Sequence, residues 1–293
     1  MNSKAENREL NRMRSYSSVF SSTSFLKMLK DDDYSFIEAK IKRYDEKKIK
    51  TGRITTYLDY IKFIYSELSK NYRNEYLYKN TFINDLLLTQ YGVKDTVAIN
   101  EFRVGNSIAD IVLFNGASKA FEIKTELDSN RRLQGQIADY TKIFDQCYII
   151  TDESLINKYL NENDSIGVIA LRKFSRSIKL TEIRNAKINE NIDPETLIRC
   201  IRTNEYKNIV SAFYGELPEM NSFNMFEVCL HLLKKIPLVE LRKLFLNEVK
   251  NRKTNTSFLK SYEKELRQLA LAMQLDKKKY QKLISKLNKP INL

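Results

Sequence analysis

Three side chains in the stretch IADIVLFNGASKAFEIKTELDS, residues 108–129, have the types and spacing for metal-assisted chemistry. Asp110 interrupts an otherwise apolar arm, while Glu122, Lys124 and Glu126 alternate along the second arm. Alternate residues of a strand share a face, so Asp110 groups with Ile108, Val112 and Phe114 on an expected covered side. A turn centred on Gly116 sets positions 110 and 122 directly across from each other, with Cβ atoms about 5 Å apart. Two carboxylates at that range repel and raise a pKa. A divalent cation between them removes the conflict, and hard oxygen ligands suit Mg²⁺ or Mn²⁺. Lys124 follows one pleat along the face of Glu122, about 6–7 Å away. An ammonium there can orient or deprotonate a nucleophile and offset charge developing on a phosphate. Two carboxylates and one lysine are sufficient for phosphodiester hydrolysis. Charges at alternate positions are also the ordinary pattern of a sheet with one wet face, and spacing alone does not separate the two readings.

These residues need a scaffold, and the periodicity supplies one. Residues 1 to about 72 carry apolar positions at helical spacing, as in SFLKMLK, SFIEAKIKRY and TTYLDYIKFIYSELSK. A further helix is predicted from Asn74 to Tyr91, stopped by Gly92. The period then changes to two over 96–104, 107–114 and 119–127, and Asn115-Gly116 signals a hairpin between the last two strands. RRLQGQIADYTKIF reads as a helix with Asp128 or Ser129 as N-cap, and CYIIT as a strand buried on both faces. SLINKYL, IGVIALR and SIKLTEIR add a helix and two strands, and from about 193 the pattern is helical again. The chain thus divides into a helical region, 1–73, an αβββαβ core with extra strands, 74–190, and a helical region, 191–293.

Composition narrows the function classes. The 293 residues carry a net charge of +13 and a single histidine, His231, within the apolar-rich FNMFEVCLHLLKKI, where a packed helix residue is expected. Chemistries that need several histidines are excluded, so catalysis must run on carboxylates and lysines. Residues 81–150 hold seven Lys/Arg against nine Asp/Glu between basic flanks. A cation-binding centre held against a polyanion needs that arrangement, and a Lys-rich surface serving solubility produces it as well. Cys147, Cys200 and Cys229 form no CxxC pair and fit reduced thiols in a cytoplasmic protein. No apolar run approaches a membrane span or a secretion signal.

The motif IAD with Asp110, FEIK with Glu122 and Lys124, and QIADY with Gln136 and Tyr140 resembles the PD-(D/E)XK nuclease superfamily, the restriction-endonuclease-like fold, in its RecB-like exonuclease branch. The resemblance covers roughly residues 74–151. It implies that Asp110, Glu122 and the main-chain carbonyl of Ile123 ligate Mg²⁺ or Mn²⁺ and that Lys124 is the catalytic lysine. Gln136 would align Lys124 or the phosphate, and Tyr140 would support the scissile strand; core packing is the other reading of Tyr140. Ala109 replaces the proline that often precedes the aspartate, and the acid many members carry on the first helix has only Glu75 and Asn80 as candidates. Arg131 and Arg132 open the second core helix, where they either touch phosphate or are simply solvated. Glu101 and Glu126 are further acids nearby, Glu126 expected at a solvated edge. The implied function is a metal-dependent nuclease acting on nucleic acid, most naturally DNA, in phage defence or mobile-element biology. The helical flanks would grip the backbone, a protein partner or a second copy. The alternative is an inactive nuclease scaffold that serves as a nucleic-acid-binding or interaction module.

Overall fold

The structure, a computed structural model, describes residues 2–126, 128, 130–174 and 177–292. In chain order its helices begin with α1 (Asn2–Ser17), α2 (Ser22–Asp31), α3 (Ser35–Lys40), α4 (Glu46–Lys50), α5 (Tyr57–Asn71) and α6 (Glu75–Phe82). Then come strands β1 (Val97–Val104), β2 (Ser107–Phe114) and β3 (Ser118–Lys124), helix α7 (Leu133–Tyr140), β4 (Gln146–Asp152), α8 (Ile156–Glu162), β5 (Gly167–Phe174) and β6 (Ser177–Arg184). Helices α9 (Pro194–Cys200), α10 (Thr203–Tyr214), α11 (Met225–Leu233), α12 (Leu238–Lys250), α13 (Arg267–Ala272) and α14 (Lys277–Leu287) complete the chain. Among the described residues no helix is long and apolar enough to cross a membrane.

Two compact units result, one of Met1–Gln90, Lys173–Lys179 and Ser257–Leu293, the other of Tyr91–Arg172 and Leu180–Thr256. This division cuts across the three expected segments: α6 groups with the N-terminal helices, and α9 to α12 group with the sheet. In the first unit the Asn74 side chain caps α6 by accepting from the Leu77 amide. The helix continues over Ile83–Tyr91 with π-type bonding, and Gly92 follows at φ +74°, a left-handed conformation that suits glycine.

The second unit holds a six-stranded mixed sheet in the order β1-β2-β3-β4-β5-β6. β1, β2 and β3 pair antiparallel, whereas β4 runs parallel to β3 and to β5. The parallel step from β3 to β4 needs a crossover, which α7 supplies. Residues 147–152 of β4 are all buried, as its apolar run anticipates. Phe102, Phe114 and Phe144 form a mutual ring cluster, and Phe114 meets Phe245 of α12 edge-on at 5.7 Å. The same cluster takes in Tyr140 and apolar residues of α9, α10 and α11. The last helices of this unit therefore share one core with the sheet.

Regular pairing fails at one place. The β1–β2 register passes from Asn100↔Ile111 to Phe102↔Ala109 over Glu101 and Asp110, and Glu101 sits at φ +56°. Between β2 and β3 the ladder runs from Phe114↔Ser118 to Ile111↔Phe121 and ends there among the described residues. Asp110 thus occupies a gap in the hydrogen-bond ladder on both sides. Beyond the gap Ile108 is exposed, which corrects the expectation of a continuously covered face.

A second polar contact ties the sheet to the helices. The Asp145 carboxylate accepts from the Ser118 amide at 2.6 Å and the Ser118 hydroxyl at 2.9 Å, and it forms a buried ion pair with Arg242 of α12. Removing one partner of such a pair strands the other charge, at a cost of about 3 kcal/mol. Asp145→Ala should lower the midpoint of urea unfolding accordingly, with near-UV circular dichroism reporting the loosened packing around Phe114 and Phe245.

Candidate active site

The gap at Asp110 and the end of β3 face the inner side of α7. The Asp110 carboxylate bends into the sheet plane, where Oδ2 accepts from the Ile123 amide at 2.8 Å. In a strand the N–H and C=O of one residue point to the same edge, so the Ile123 carbonyl is directed toward Asp110 as well. The Lys124 carbonyl points the other way and accepts from the Thr151 hydroxyl of β4 at 2.8 Å. That bond fixes the backbone from which Lys124 extends.

Glu122 is the centre of the cluster and is only 5% exposed. Its Oε1 accepts from Lys124 Nζ at 2.9 Å and from Gln136 Nε2 at 2.6 Å; its Oε2 lies 2.7 Å from the Tyr140 hydroxyl. Gln136 also accepts from Lys124 Nζ at 2.9 Å, so its amide bridges the lysine and the glutamate. Gln136 and Tyr140 are four apart on α7, which puts both over the sheet. The apolar residues of α7 hold it there: Leu133 and Ile137 pack with Ile149, Tyr159 and Val168. The intervening positions are left to reach the polar cluster.

Burial pushes the Glu122 carboxyl above the usual carboxylate range, and the neighbouring Asp110 charge adds to the shift against the opposing pull of Lys124. The Tyr140 hydroxyl lies within hydrogen-bond distance of two acceptors, Glu122 Oε2 at 2.7 Å and the Ile108 carbonyl at 2.8 Å. Its bond to Glu122 favours the carboxylate against the effect of burial. The Tyr140 hydroxyl is in turn raised, first by desolvation and then by Glu122.

The residues named from sequence therefore fall into three groups. Asp110, Glu122, Lys124, Gln136, Tyr140 and the Ile123 carbonyl come together. Glu75 and Asn80 lie in the other unit and are engaged there: Glu75 pairs with Lys79 at 2.5 Å, while buried Asn80 donates to the Tyr65 hydroxyl and the Lys264 carbonyl and accepts from the Gln268 amide. Arg131 and Arg132 are exposed just ahead of α7, and Glu126 accepts from the Ser154 hydroxyl at 2.9 Å. Asp128 does not cap α7; it folds back to accept from the Thr125 amide and hydroxyl, and Ser129 lies outside the described residues. His231 is exposed on α11 instead of packed. Tyr140 is 1% exposed, as its core-packing reading expected, and its hydroxyl is bonded to Glu122. Thr151 was missed, since a threonine in an apolar strand carries no signal of its backbone partner.

Among the described residues no group of three or more His, Cys, Asp or Glu side chains converges. Asp110 is near enough to Glu122 for its charge to raise the Glu122 pKa. With the Ile123 carbonyl on the same strand edge, these oxygens are of the type that could hold a hard divalent cation.

The fold and this cluster define a mixed α/β protein with a buried carboxylate–lysine centre at the end of its third strand. The family model of Bacteriophage P4 protein cII matches residues 68–286, and the chain belongs to that family. Protein cII of Enterobacteria phage P4 is 25% identical over 187 residues, which cover 62% of this chain and 66% of that protein. The chain thus spans just under two thirds of that relative's length. Among solved structures, a protein of unknown function from Silicibacter pomeroyi aligns with a TM-score of 0.28 and 13% identity over 43% of this chain and 86% of its own.

A cation at Glu122 would compete with protons for a carboxyl whose proton affinity burial raises. Mn²⁺ affinity should therefore fall as pH drops through the Glu122 pKa, and binding should release protons. Calorimetric titration at mildly acid and mildly alkaline pH, in two buffers of different ionisation enthalpy, checks both; pH-independent affinity with no proton release contradicts the assignment.

Proposed function

We propose that this protein is a metal-dependent nuclease with a restriction-endonuclease-like core, hydrolysing phosphodiester bonds in nucleic acid, most naturally DNA. The observation that carries the reading is the convergence of Asp110, Glu122 and Lys124 at one point of the sheet, bridged by Gln136. The element order supports it: a helix, three antiparallel strands, a crossover helix and a parallel strand. Membership of a phage protein family fits a setting in phage or mobile-element biology.

Asp110, Glu122 and the Ile123 carbonyl would hold Mg²⁺ or Mn²⁺, which when bound supplies a water of lowered pKa and offsets phosphate charge. The protein's own contributions follow from the contacts. Lys124 keeps a cation 2.9 Å from Glu122 in a site shielded from solvent, where charge on a phosphate oxygen is stabilised far more than in water. Gln136 orients that ammonium, and Thr151 anchors the backbone beneath it. Tyr140 orients Glu122, so its role is to position a ligand and not to touch the strand being cut. Arg131 and Arg132, exposed just ahead of α7, would contact the phosphate backbone.

One observation favours a second reading, an inactive scaffold that binds nucleic acid or a partner protein. Glu122 already has Lys124, Gln136 and Tyr140 as partners, which makes the buried cluster self-satisfied without a cation.

Cleavage assays with Mg²⁺ or Mn²⁺ on supercoiled, linear and single-stranded DNA and on RNA separate the two. The parent should cut at least one substrate, and Lys124→Ala should lose about 10²-fold or more in rate at a temperature where circular dichroism shows it still folded. A parent inert on every substrate, or a Lys124→Ala chain that cuts equally well, overturns the nuclease reading.

A further inference from the structure

A second polar feature lies in the first unit and takes no part in the cluster just described. α1 and the π-helical segment Ile41–Asp45 enclose a cleft of about 600 Å³ lined by Arg8, Glu9, Arg12, Arg43 and Tyr44. Three guanidinium groups face one carboxylate there. Glu9 is taken by Arg12, whose Nη2 donates to it at 2.6 Å. The Nε of Arg12 is buried and has no hydrogen-bond partner. A buried donor left unmade is costly.

A buried polar cluster adjoins the cleft residues Arg12 and Tyr44 through Tyr16. Buried Asp45 accepts from the Tyr16 hydroxyl at 2.6 Å, the Tyr60 hydroxyl at 2.9 Å and Lys48 at 2.5 Å. Its charge is engaged by these donors and also acts on Arg12, where it favours the guanidinium. Tyr16 is held under Arg12, whose guanidinium stands 5.8 Å from the ring centre, and meets Tyr44 edge-on at 6.0 Å. Arg43 in turn stands 5.2 Å over the Tyr44 ring. Such π-helical insertions recur at functional sites, and this one places Arg43 and Tyr44 together on the cleft wall.

We infer that this cleft is a nucleic-acid grip, in which Arg8, Arg12 and Arg43 take the phosphates of a strand and the Tyr44 ring carries a base or sugar beside them. Planar guanidinium groups match phosphate oxygens in pairs. An aromatic flanked by arginine is the recurring platform for a single strand, and the volume lies within the range of pockets that enclose a ligand of nucleotide size. The inference rests on nucleic acid being this chain's ligand, yet it needs no cleavage.

The test is fluorescence anisotropy of labelled single-stranded and duplex DNA with the full chain in excess EDTA, across a salt series. The Arg8→Ala/Arg43→Ala double variant should bind roughly tenfold or more weakly at low salt, with a salt slope shallower by about 2. A charge-matched control, Lys278→Ala/Lys282→Ala on exposed α14, should bind much closer to the parent. Equal binding by the arginine variant overturns the cleft and leaves the cleavage reading standing. Equal losses in the lysine control overturn it in favour of diffuse surface charge. A parent that takes inorganic phosphate in the cleft but no nucleic acid overturns it in favour of a free anion. If the parent binds through the cleft and yet cuts nothing, the grip survives and the nuclease reading falls.

Discussion

A carboxylate that is all but buried must find donors, and the placement of Glu122 dictates much of what surrounds it. An ionised group withdrawn from water costs several kcal/mol unless it is paired, and here the partners arrive from two elements. Lys124 comes from the same strand face, and Gln136 and Tyr140 come from a helix that the crossover between β3 and β4 holds over that face. The second carboxylate, Asp110, works against this arrangement by raising the Glu122 pKa.

The sheet is shaped around the same conflict. A continuous β1–β2–β3 ladder would match Glu101, Asp110 and Glu122 with one another; the structure passes over that row. Glu101 takes a left-handed conformation that is uncommon for a residue with a side chain, and Asp110 bonds to an amide of β3 instead of standing off the pleat. Irregular backbone of this kind gathers at functional positions, where surrounding structure holds it in place. Here the hold is the phenylalanine cluster of Phe102, Phe114 and Phe144, which lies immediately beside the gap and continues into α12 through Phe245.

Much of this was legible in the amino-acid sequence, because side-chain period and turn chemistry act locally. Gly116 lies at the centre of the β2–β3 register, and from it the pairing of positions 110 and 122 follows arithmetically. The stripe of Leu133, Ile137 and Tyr140 on α7, with Phe144 just beyond its end, is buried as its spacing requires. What escaped the sequence depends on contacts between distant segments. NEYKNIVSAFY forms α10 although its stripe is weakly apolar, and burial of Tyr206, Ile209 and Val210 against other helices decides it. FLKSYEKELRQLALAM reads as one helix, yet a 3₁₀ segment over Thr256–Ser261 precedes the short α13. Asn80 looked like a residue facing a site because it lies on an inner stripe; its true partners, Lys264 and Gln268, are some 180 residues away in the chain. The arginine cleft was invisible for the same reason, since Arg8 and Arg43 meet only through the packing of α1 against a later segment.

The account stands on Asp110 and Glu122 acting together on one cation. Mn²⁺ titration followed by electron paramagnetic resonance measures that directly, because bound and free ions differ in signal. The parent chain should bind Mn²⁺ stoichiometrically, and both Asp110→Asn and Glu122→Gln should abolish that binding while remaining folded. A parent that leaves the Mn²⁺ signal at its free amplitude, or an Asp110→Asn chain that quenches it equally, would contradict the shared site.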